Sequence, residues 1–435
     1  MATPLIFNAF ILNSASHLNA GQWHQSGQVK GAFLTAEYWK RLALQLEDGL
    51  FDGVFFADVL GLHTEKESEV DYCINQGIQF PLHDPAIAIS MMASVTENLC
   101  FGLTSSVFSE SPYLFTRKMA TLDHLTGGRM AWNIVTSYLP SSMKALGFTG
   151  LPNHEERYSY AQEYLSLCLE LWRGAPYMID SEADGYFSAG KRTLFEGKYL
   201  TFSGYGMMAQ SPQVYPVLYQ AGASKTGLDF AARNTECIFL AGKSTSETAI
   251  IMSRVIKIFS RAGRERRSYK IMPQITIITA ENNLVAHEKY QEMIHHADVR
   301  AAEILASGWL GVDLSKQEPD RPLSTFKSSA IRSFAEQFAS SEKHVVPETV
   351  KQLVQLALLG GLGTVLVGDS THLAIELQKM QENGADGFNI PNLLSPDTYS
   401  DIKSYLIPEL QERGLYKTRY TEGDHRRKLL FNPRI

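Results

Sequence analysis

Short runs of apolar residues alternate along the chain with longer segments in which apolar residues recur every three or four positions. The runs have the uniform hydrophobicity of buried parallel strands, and the longer segments have the period of a helix that packs by one face. Strands are predicted at 6–12, 53–58, 100–106, 130–137, 216–222, 236–242, 271–280 and 387–390. Helices are predicted at 36–51, 84–98, 111–128, 154–173, 225–233, 244–262, 370–383 and 395–414. Such alternation is typical of a parallel α/β fold, and about eight strands predict a (β/α)8 TIM barrel.

Two stretches, 174–215 and 308–363, are too long to be connections of a minimal barrel. We interpret both as insertions in the loops of a single domain spanning 1–435, and 415–435 as a C-terminal arm on the surface. Loops of this length usually carry a function or a structure of their own. We expect the insertions, chiefly 308–363 with a contribution from 174–215, to close over the site; an oligomer interface is the alternative.

Composition narrows the class of partner. The 435 residues are 44% hydrophobic and carry a formal net charge of −6 without a long basic run. This excludes the electrostatic footprint of a nucleic-acid binder or a membrane-surface protein, so small-molecule partners are expected. The four cysteines form no CxxC motif, and no metal site is predicted. We expect a cytoplasmic protein, because the first residues lack a signal peptide's basic region and no apolar stretch reaches the ~20 residues of a membrane span.

Polar residues that directly follow the predicted strands are the candidates for a site, because a TIM barrel forms its active site where its strands end. They are Asn13, Ser14, His17, Asp58, Thr104, Ser105, Ser106, Thr136, Ser137, Tyr138 and, after Ala223, Ser224. The set has no HxH pair, no clustered carboxylates and no GxSxG motif. Metal-dependent and serine-dependent hydrolysis are therefore not indicated.

One junction between a strand and a helix is a candidate ligand site. The predicted strand ends at Gly222-Ala223-Ser224, and a predicted helix begins directly after it. Backbone N–H groups at such a helix start can hold a phosphate, but Ser224 could equally serve only as a helix cap. His154 and Tyr158 lie four positions apart on one helical face, where they could reach one ligand or simply pack. Asp58 could likewise only cap a loop. The residues alone leave these alternatives open.

Several segments together carry a family resemblance. In chain order they are FFADVLG, TLDHLTGGR followed by AWNIVTS, NHEERY, YQAGAS, ADGFNI and PELQERGLY. They resemble the luciferase-like flavin monooxygenases, and within them the branch of the nitrilotriacetate, dibenzothiophene sulfone and long-chain alkane monooxygenases. The likeness covers nearly the whole chain. TLDHLTGGR itself has the pattern of a glycine-capped helix end, which we interpret as structural.

The resemblance implies a TIM barrel that uses FMN as a co-substrate, delivered in reduced form by a separate NAD(P)H-dependent flavin reductase. It implies FMN contacts at Asp58, Thr104, His154, Tyr158 and Ser224. Tyr158 and Ser224 would face the phosphate, and Asp58 and Thr104 the isoalloxazine.

On the substrate side, His17 and Tyr138 are the expected catalytic positions. Tyr138 and Ser14 stand where the alkane enzyme has a histidine and a cysteine, and the turn at Ser224 lacks the second serine common in relatives. The identity of the substrate therefore does not carry over from the resemblance.

The resulting hypothesis is a two-component monooxygenase in which reduced FMN reacts with O2 to give a flavin hydroperoxide. This would oxygenate a small organosulfur, amine or alkyl compound. The alternatives are a deazaflavin-dependent dehydrogenase of the same fold and a non-catalytic flavin-binding protein. A homo-oligomer, either a dimer or a tetramer, is also expected.

Overall fold

The structure is a computed structural model that describes residues 3–19, 31–64, 66–179, 186–222, 224–326, 349–393 and 397–430. Ala223 of the predicted phosphate turn lies outside the described residues. So do 180–185 and 327–348 within the two predicted insertions, and 431–435 of the predicted arm.

Eight parallel strands form the barrel, in the order β12-β1-β2-β3-β4-β7-β8-β9. A bridge between Gln274 and Asn389 joins the two edges, so the sheet is nearly closed and the predicted TIM barrel is confirmed. β10 and β11 form a separate parallel pair, and β5 and β6 an antiparallel pair. The strands are β1 (Ile6–Leu12), β2 (Gly53–Ala57), β3 (Cys100–Ser106), β4 (Met130–Val135), β5 (Thr193–Glu196), β6 (Thr201–Gly204), β7 (Val217–Ala221), β8 (Cys237–Leu240), β9 (Lys270–Pro273), β10 (Ile275–Thr279), β11 (Thr364–Gly368) and β12 (Gly387–Pro391).

Helices surround the barrel, and their starts follow the capping chemistry of the sequence. The side chain of Asp84 accepts a hydrogen bond from the Ala86 N–H, and Pro85 occupies the first helical position, as predicted. The helices are α1 (Ala36–Asp48), α2 (Glu67–Asn75), α3 (Pro85–Ala93), α4 (Pro112–Leu125), α5 (Pro140–Ala145), α6 (His154–Arg173), α7 (Lys225–Asn234), α8 (Thr245–Arg261), α9 (Asn283–His295), α10 (Val299–Leu310), α11 (Val350–Ala357), α12 (Ser370–Glu382), α13 (Asp397–Asp401), α14 (Ile407–Glu412) and α15 (His425–Leu429). A π-helical turn (Ile402–Leu406) links α13 to α14, and 3-10 turns occur at Ala32–Leu34, Arg266–Ser268, Leu314–Lys316 and Leu323–Thr325.

The run 271–280 is two strands rather than the single strand predicted. β9 ends at Pro273, and β10 leaves the barrel to pair with β11 along Ile275–Thr279. The amide of Gln274 at the break donates to the carbonyl oxygen of Gly360, 86 positions away. The apolar pattern is continuous, so only this distant partner reveals the change of sheet.

The segment 415–430 closes the barrel at the amino ends of the strands, which corrects the prediction of a surface arm. Arg426 is 1% exposed and donates to three backbone carbonyl groups that precede β7. Its Nε lies 3.6 Å from a carboxylate oxygen of buried Glu236. Leu429 and Leu430 join the apolar cluster inside the barrel. Charged side chains are usually exposed, which is why this stretch was predicted to lie on the surface. Here the amino end of the barrel supplies carbonyl and carboxylate partners that allow Arg426 to be buried.

The described residues of 174–215 form two antiparallel ribbons on the outside of the barrel. A bridge between Met178 and Phe187 holds one, and β5 with β6 forms the other. α6 has 20 residues and therefore carries the chain roughly 30 Å from the carboxyl to the amino ends of the strands before the ribbons begin. The turn between β5 and β6 then lies along α6, where Glu163 accepts backbone N–H bonds from Lys198 and Tyr199 at 2.9 and 2.8 Å.

The expectation that 174–215 contributes to a cover over the site stays a prediction. An insertion between a helix and the next strand starts at the end of the barrel opposite the active site. The described ribbon residues pack against the outer helices, as in the stacked rings of Tyr113 and Phe202, 5.8 Å apart.

The described part of 308–363 lies at the other end, above the carboxyl ends of the strands. There α2, α10 and α11, which we call the cap, share a small apolar core of their own, with Leu305 and Leu353 fully buried. Lys66 pairs with Asp313 and donates to the Ser315 hydroxyl at 2.6 Å, which joins the loop after β2 to the segment after α10. The cap therefore links two loops that both follow barrel strands.

Candidate functional site

The site is built from side chains at the carboxyl ends of β1, β2, β3, β4 and β7, where the sequence placed it. These side chains form three groups. One surrounds the start of α7, a second surrounds Asp58, and a third lies under the cap around His17 and Tyr138.

The first group brings together His154, Tyr158 and Ser224. Ser224 is the N-cap of α7, and its Oγ accepts a hydrogen bond from the Gly227 N–H at 3.1 Å. The same Oγ lies 3.3 Å from His154 Nε2. The Tyr158 hydroxyl accepts a hydrogen bond from the Gln220 side-chain amide at 3.1 Å. Ser224 therefore caps the helix and at the same time belongs to a convergent polar cluster.

Gly227 gives this cluster its open center. A Cβ at this position would lie 2.8 Å from the Tyr158 hydroxyl and 3.0 Å from Ser224 Oγ, so any other residue would fill the space between them. The cluster sits at the N-terminus of a ten-residue helix, whose free N–H groups and dipole favour an anion. We call His154, Tyr158, Ser224 and Gly227 the anion cradle.

Beside the cradle, Gln220 has one buried polar atom without a partner. Gln220 donates through its amide to Tyr158 and to the Ala221 carbonyl oxygen, yet its Oε1 is buried and has no hydrogen-bond partner. Burial also raises the pKa of the Tyr158 phenol, so the hydroxyl stays protonated and can donate a hydrogen bond to a bound anion. The cradle thus offers O–H and N–H donors to a ligand.

The second group surrounds a cavity of about 160 Å³ beside Asp58 and Thr104. Burial, followed by the nearby charge of Asp84, raises the pKa of Asp58 to about 7, against the opposing effects of the Val59 N–H and Lys118. The Thr104 hydroxyl accepts a hydrogen bond from the Asn133 amide at 3.0 Å. Asp58 is therefore poised to be neutral or charged near physiological pH.

The third group places His17 and Tyr138 around the pair His63 and Gln79. The amide of Gln79 donates to the His17 carbonyl oxygen at 2.9 Å, and its Oε1 lies 2.9 Å from His63 Nε2. The rings of His63 and Tyr138 are 6.4 Å apart. Gln79 has φ 50°, an unusual backbone conformation for a residue other than glycine, which is typical of functional sites.

Both predicted catalytic side chains are uncharged at neutral pH. Burial lowers the pKa of His17 to about 4, and its Nδ1 has no hydrogen-bond partner. Tyr138 is 40% exposed, yet the surrounding protein raises the pKa of its phenol. Both residues are therefore neutral polar groups at neutral pH.

Sequence reasoning missed four contributors to the site: His63, Gln79, Arg157 and Gly227. Arg157 is buried and donates to the Ser137 carbonyl oxygen, which holds the loop that carries Tyr138. His63 follows β2 and could have been found by searching further past each strand. The others act through partners distant in sequence, which no local pattern marks.

The remaining predicted strand-end residues mostly support this framework. The hydroxyls of Ser106 and Ser137 lie 2.8 Å apart, and those of Ser105 and Ser109 lie 3.3 Å apart. Ser14 Oγ and Asn13 Oδ1 are buried without partners. TLDHLTGGR is structural, as predicted, because buried Asp123 accepts hydrogen bonds from the side-chain amide and backbone N–H of Gln213.

Among the described residues, no group of three or more His, Cys, Asp or Glu side chains could hold a metal ion. Within the same part of the chain, no helix has the length and hydrophobicity to cross a membrane.

Comparison with known proteins gives a consistent result. Residues 14–387 match the family model of the luciferase-like monooxygenases. Dimethyl-sulfide monooxygenase of Hyphomicrobium sulfonivorans is 36% identical over 99% of this chain and 91% of its own length. Its crystal structure superposes with a TM-score of 0.88, over 99% of this chain and 92% of that chain.

Two further relatives belong to the branch expected from the sequence motifs. Long-chain alkane monooxygenase of Geobacillus thermodenitrificans is 34% identical over 99% of this chain and 94% of its own length. Nitrilotriacetate monooxygenase component A of Aminobacter aminovorans is 26% identical over 96% of this chain and 95% of its own length. The predicted family resemblance is confirmed.

Proposed function

The chain belongs to the luciferase-like monooxygenase family, and from that premise we propose that it is the oxygenase of a two-component FMN-dependent system. It would use O2 and reduced FMN to oxygenate a small organosulfur, amine or alkyl compound. The relatives act on substrates as different as dimethyl sulfide and long-chain alkanes, so the site itself must select the compound.

The observation that carries the proposal is the anion cradle. Its O–H and N–H donors and its open glycine at a helix start fit a phosphate. We assign Tyr158, Ser224 and His154 to the FMN phosphate. Asp58 and Thr104, in the second group, are assigned to the isoalloxazine.

When bound, reduced FMN supplies the activation of O2, and the side chains control its surroundings. Neutral His17 and Tyr138 would orient the substrate without placing a charge beside it. Arg157 holds the loop that carries Tyr138, so we regard it as a positioning residue. The cap would exclude water from the mouth of the barrel.

The partner we propose is a separate NAD(P)H-dependent flavin reductase. The relative named component A supports a two-component arrangement. The chain carries no dinucleotide-binding fingerprint that would let it reduce flavin by itself.

The direct test of the proposal combines flavin binding with product analysis. Anaerobic titration is expected to give tighter binding for reduced FMN than for oxidised FMN, because the enzyme must capture the reduced form. A panel of sulfides, amines and alkanes with a generic reductase and ¹⁸O2 should then give a product carrying one ¹⁸O. Equal affinity for both flavin states, with no labelled product, would contradict the proposal.

Binding of reduced FMN is expected to weaken as the pH rises through about 7, where Asp58 ionises. The pKa of Asp58 is raised, so its carboxyl group is neutral below this pH and negatively charged above it. Reduced flavin is an acid that also becomes negatively charged when it loses a proton, so the ionised carboxylate would repel it. The loss should be about tenfold between pH 6 and 8, which equals one pKa unit of coupling. Asp58→Asn should flatten the profile, and titrations at both pH values check this.

Loosening the cap is expected to raise the fraction of NADH oxidation that ends as H2O2. Lys66→Met removes the links to Asp313 and Ser315, and water should then reach the flavin more easily. The H2O2 fraction should roughly double while FMN affinity stays unchanged. Lys316→Met is the control, because that side chain is 76% exposed. An unchanged H2O2 fraction in Lys66→Met would contradict the proposal that the cap excludes water.

A further inference from the structure

A cavity of about 290 Å³ lies beside the barrel, between β10, α9 and α13. The described residues that line it include none that we assign to the flavin or to the substrate, so the cavity is separate from the site above. Small-molecule sites are concave and mostly apolar, with volumes of roughly 300–1,000 Å³ and a few polar groups that orient the ligand. The volume of this cavity therefore suits a small ligand.

Part of the cavity lining is apolar. Ile277, Ile278 and Leu393 line it and are almost fully buried, and Met293 packs against the last two. Apolar side chains stabilise the hydrocarbon part of a ligand by removing it from water. The cavity can therefore hold a short alkyl group.

The charged part of the lining carries more negative than positive groups. Among the described lining residues, three carboxylates, Glu292, Asp397 and Asp401, accompany one cation, Lys289. Lys289 pairs with Asp401 at 2.9 Å, and neither Glu292 nor Asp397 has an ion-pair partner in the described part of the chain. Asp397 and Asp401 are four positions apart on α13, and Lys289 and Glu292 are three apart on α9, so each helix brings two charges to the cavity on one face. The cavity therefore favours a positively charged ligand.

A hydroxyl group that also lines the cavity has no partner. Thr279 is 2% exposed, and its Oγ1 is buried without a hydrogen bond to any described residue. Buried polar atoms in native proteins normally have a partner. The charged groups are close to this residue, because Lys289 Nζ donates to the Thr279 carbonyl oxygen at 3.5 Å. Burial raises the pKa of Asp401, and the negative charges of Asp397 and Glu281 add to this effect against Lys289, so a further cation would relieve the repulsion.

We propose that this cavity is a second ligand site, which binds small primary alkylammonium ions. The ammonium group has N–H donors for the unpaired carboxylates and for the Thr279 hydroxyl, and the alkyl chain lies against Ile278, Met293 and Leu393. An organic cation fits better than a metal ion, because the described carboxylates are not grouped as metal ligands. The site goes beyond the proposed flavin chemistry and does not depend on it.

The test uses Met293 as a local probe, because its side chain lines the cavity. In protein labelled with ¹³C at the methionine methyl groups, hexylamine, which is protonated at neutral pH, should shift the Met293 resonance with saturation. We expect a Kd of about 1 mM or lower for a ligand of this size. Met293→Leu identifies the resonance, and Met380, which is buried in the main core, should not respond. A Met293 resonance that stays unchanged at about 10 mM hexylamine would overturn the proposal.

Charge variants and uncharged analogues test the class of ligand. Glu292→Gln/Asp397→Asn removes the excess negative charge and should weaken hexylamine binding about tenfold or more. Both side chains are exposed, so the fold should be unchanged. Glu288→Gln is the control, because Glu288 is an exposed carboxylate of α9 that does not line the cavity. Hexanol and hexanoate, with the same chain length, should bind at least about tenfold more weakly than hexylamine. Equal binding of hexylamine and hexanol, or undiminished hexylamine binding by the double variant, would contradict the assignment.

Discussion

Gly227→Ala is expected to lower FMN affinity about a hundredfold, because the new methyl group fills the anion cradle. The Cβ would lie 2.8 Å from the Tyr158 hydroxyl and 3.0 Å from Ser224 Oγ. Loss of two charge-assisted hydrogen bonds at roughly 1.5 kcal/mol each accounts for this factor. Gly227 is helical, so the higher helix propensity of alanine opposes the cost of shifting Tyr158, and the net change in stability should be small. Fluorescence titration with FMN, alongside thermal unfolding, measures both effects.

Two controls separate loss of the phosphate site from general damage. Riboflavin lacks the phosphate, so its affinity should change much less than that of FMN. Gly150→Ala introduces a methyl group where no atom lies within 4 Å and should change neither affinity. Tyr158→Phe, which removes one hydroxyl, should cost about tenfold in FMN affinity. If Gly227→Ala weakens FMN and riboflavin equally, the phosphate does not lie in the cradle.

Arg426→Ala is expected to destabilise the protein by about 3–5 kcal/mol, the usual cost of removing one member of a buried ion pair. Its side chain is 1% exposed, and the variant leaves buried Glu236 without the positive charge beside it and three carbonyl groups without their guanidinium donor. The neighbouring Arg427 has a side chain that is 67% exposed, and Arg427→Ala should stay within about 0.5 kcal/mol of the wild type. Chemical unfolding of both variants measures the difference.

The pH dependence of this loss identifies its cause. Burial raises the pKa of Glu236, and the charge of Arg426 is the largest opposing effect. Without Arg426 the pKa rises further, and an acid with a raised pKa destabilises the fold as the pH increases. The destabilisation should therefore be larger at pH 8 than at pH 5. A loss that does not vary with pH would assign the effect to packing alone.

Local patterns predicted those parts of the fold that depend on local interactions. β1, β3 and α6 begin and end where the sequence placed them, because uniform apolar runs and capping residues mark their ends. The rule that polar residues after barrel strands form the site also placed Asp58, Thr104 and Tyr138 at one end of the barrel. Their roles toward FMN remain predictions.

The errors share one physical origin, which is contact between residues far apart in sequence. Three adjacent cations, Arg426, Arg427 and Lys428, look alike in the sequence, yet only the first meets a buried carboxylate 190 positions earlier. In the sequence Gly227 is only a glycine within a predicted helix, and its role follows from the Tyr158 hydroxyl that lies beside it in the fold.

The pairing of β1 with β12 has a consequence for biosynthesis. Ile6 lies opposite Gly387, so one edge of the first strand has no partner until almost the whole chain has left the ribosome. At about 5–20 residues per second, this edge stays open for tens of seconds, far longer than a hairpin takes to form. β1 carries the apolar sequence IFNAFIL and would aggregate readily in that interval. Shielding of the first strand during translation would therefore suppress this aggregation.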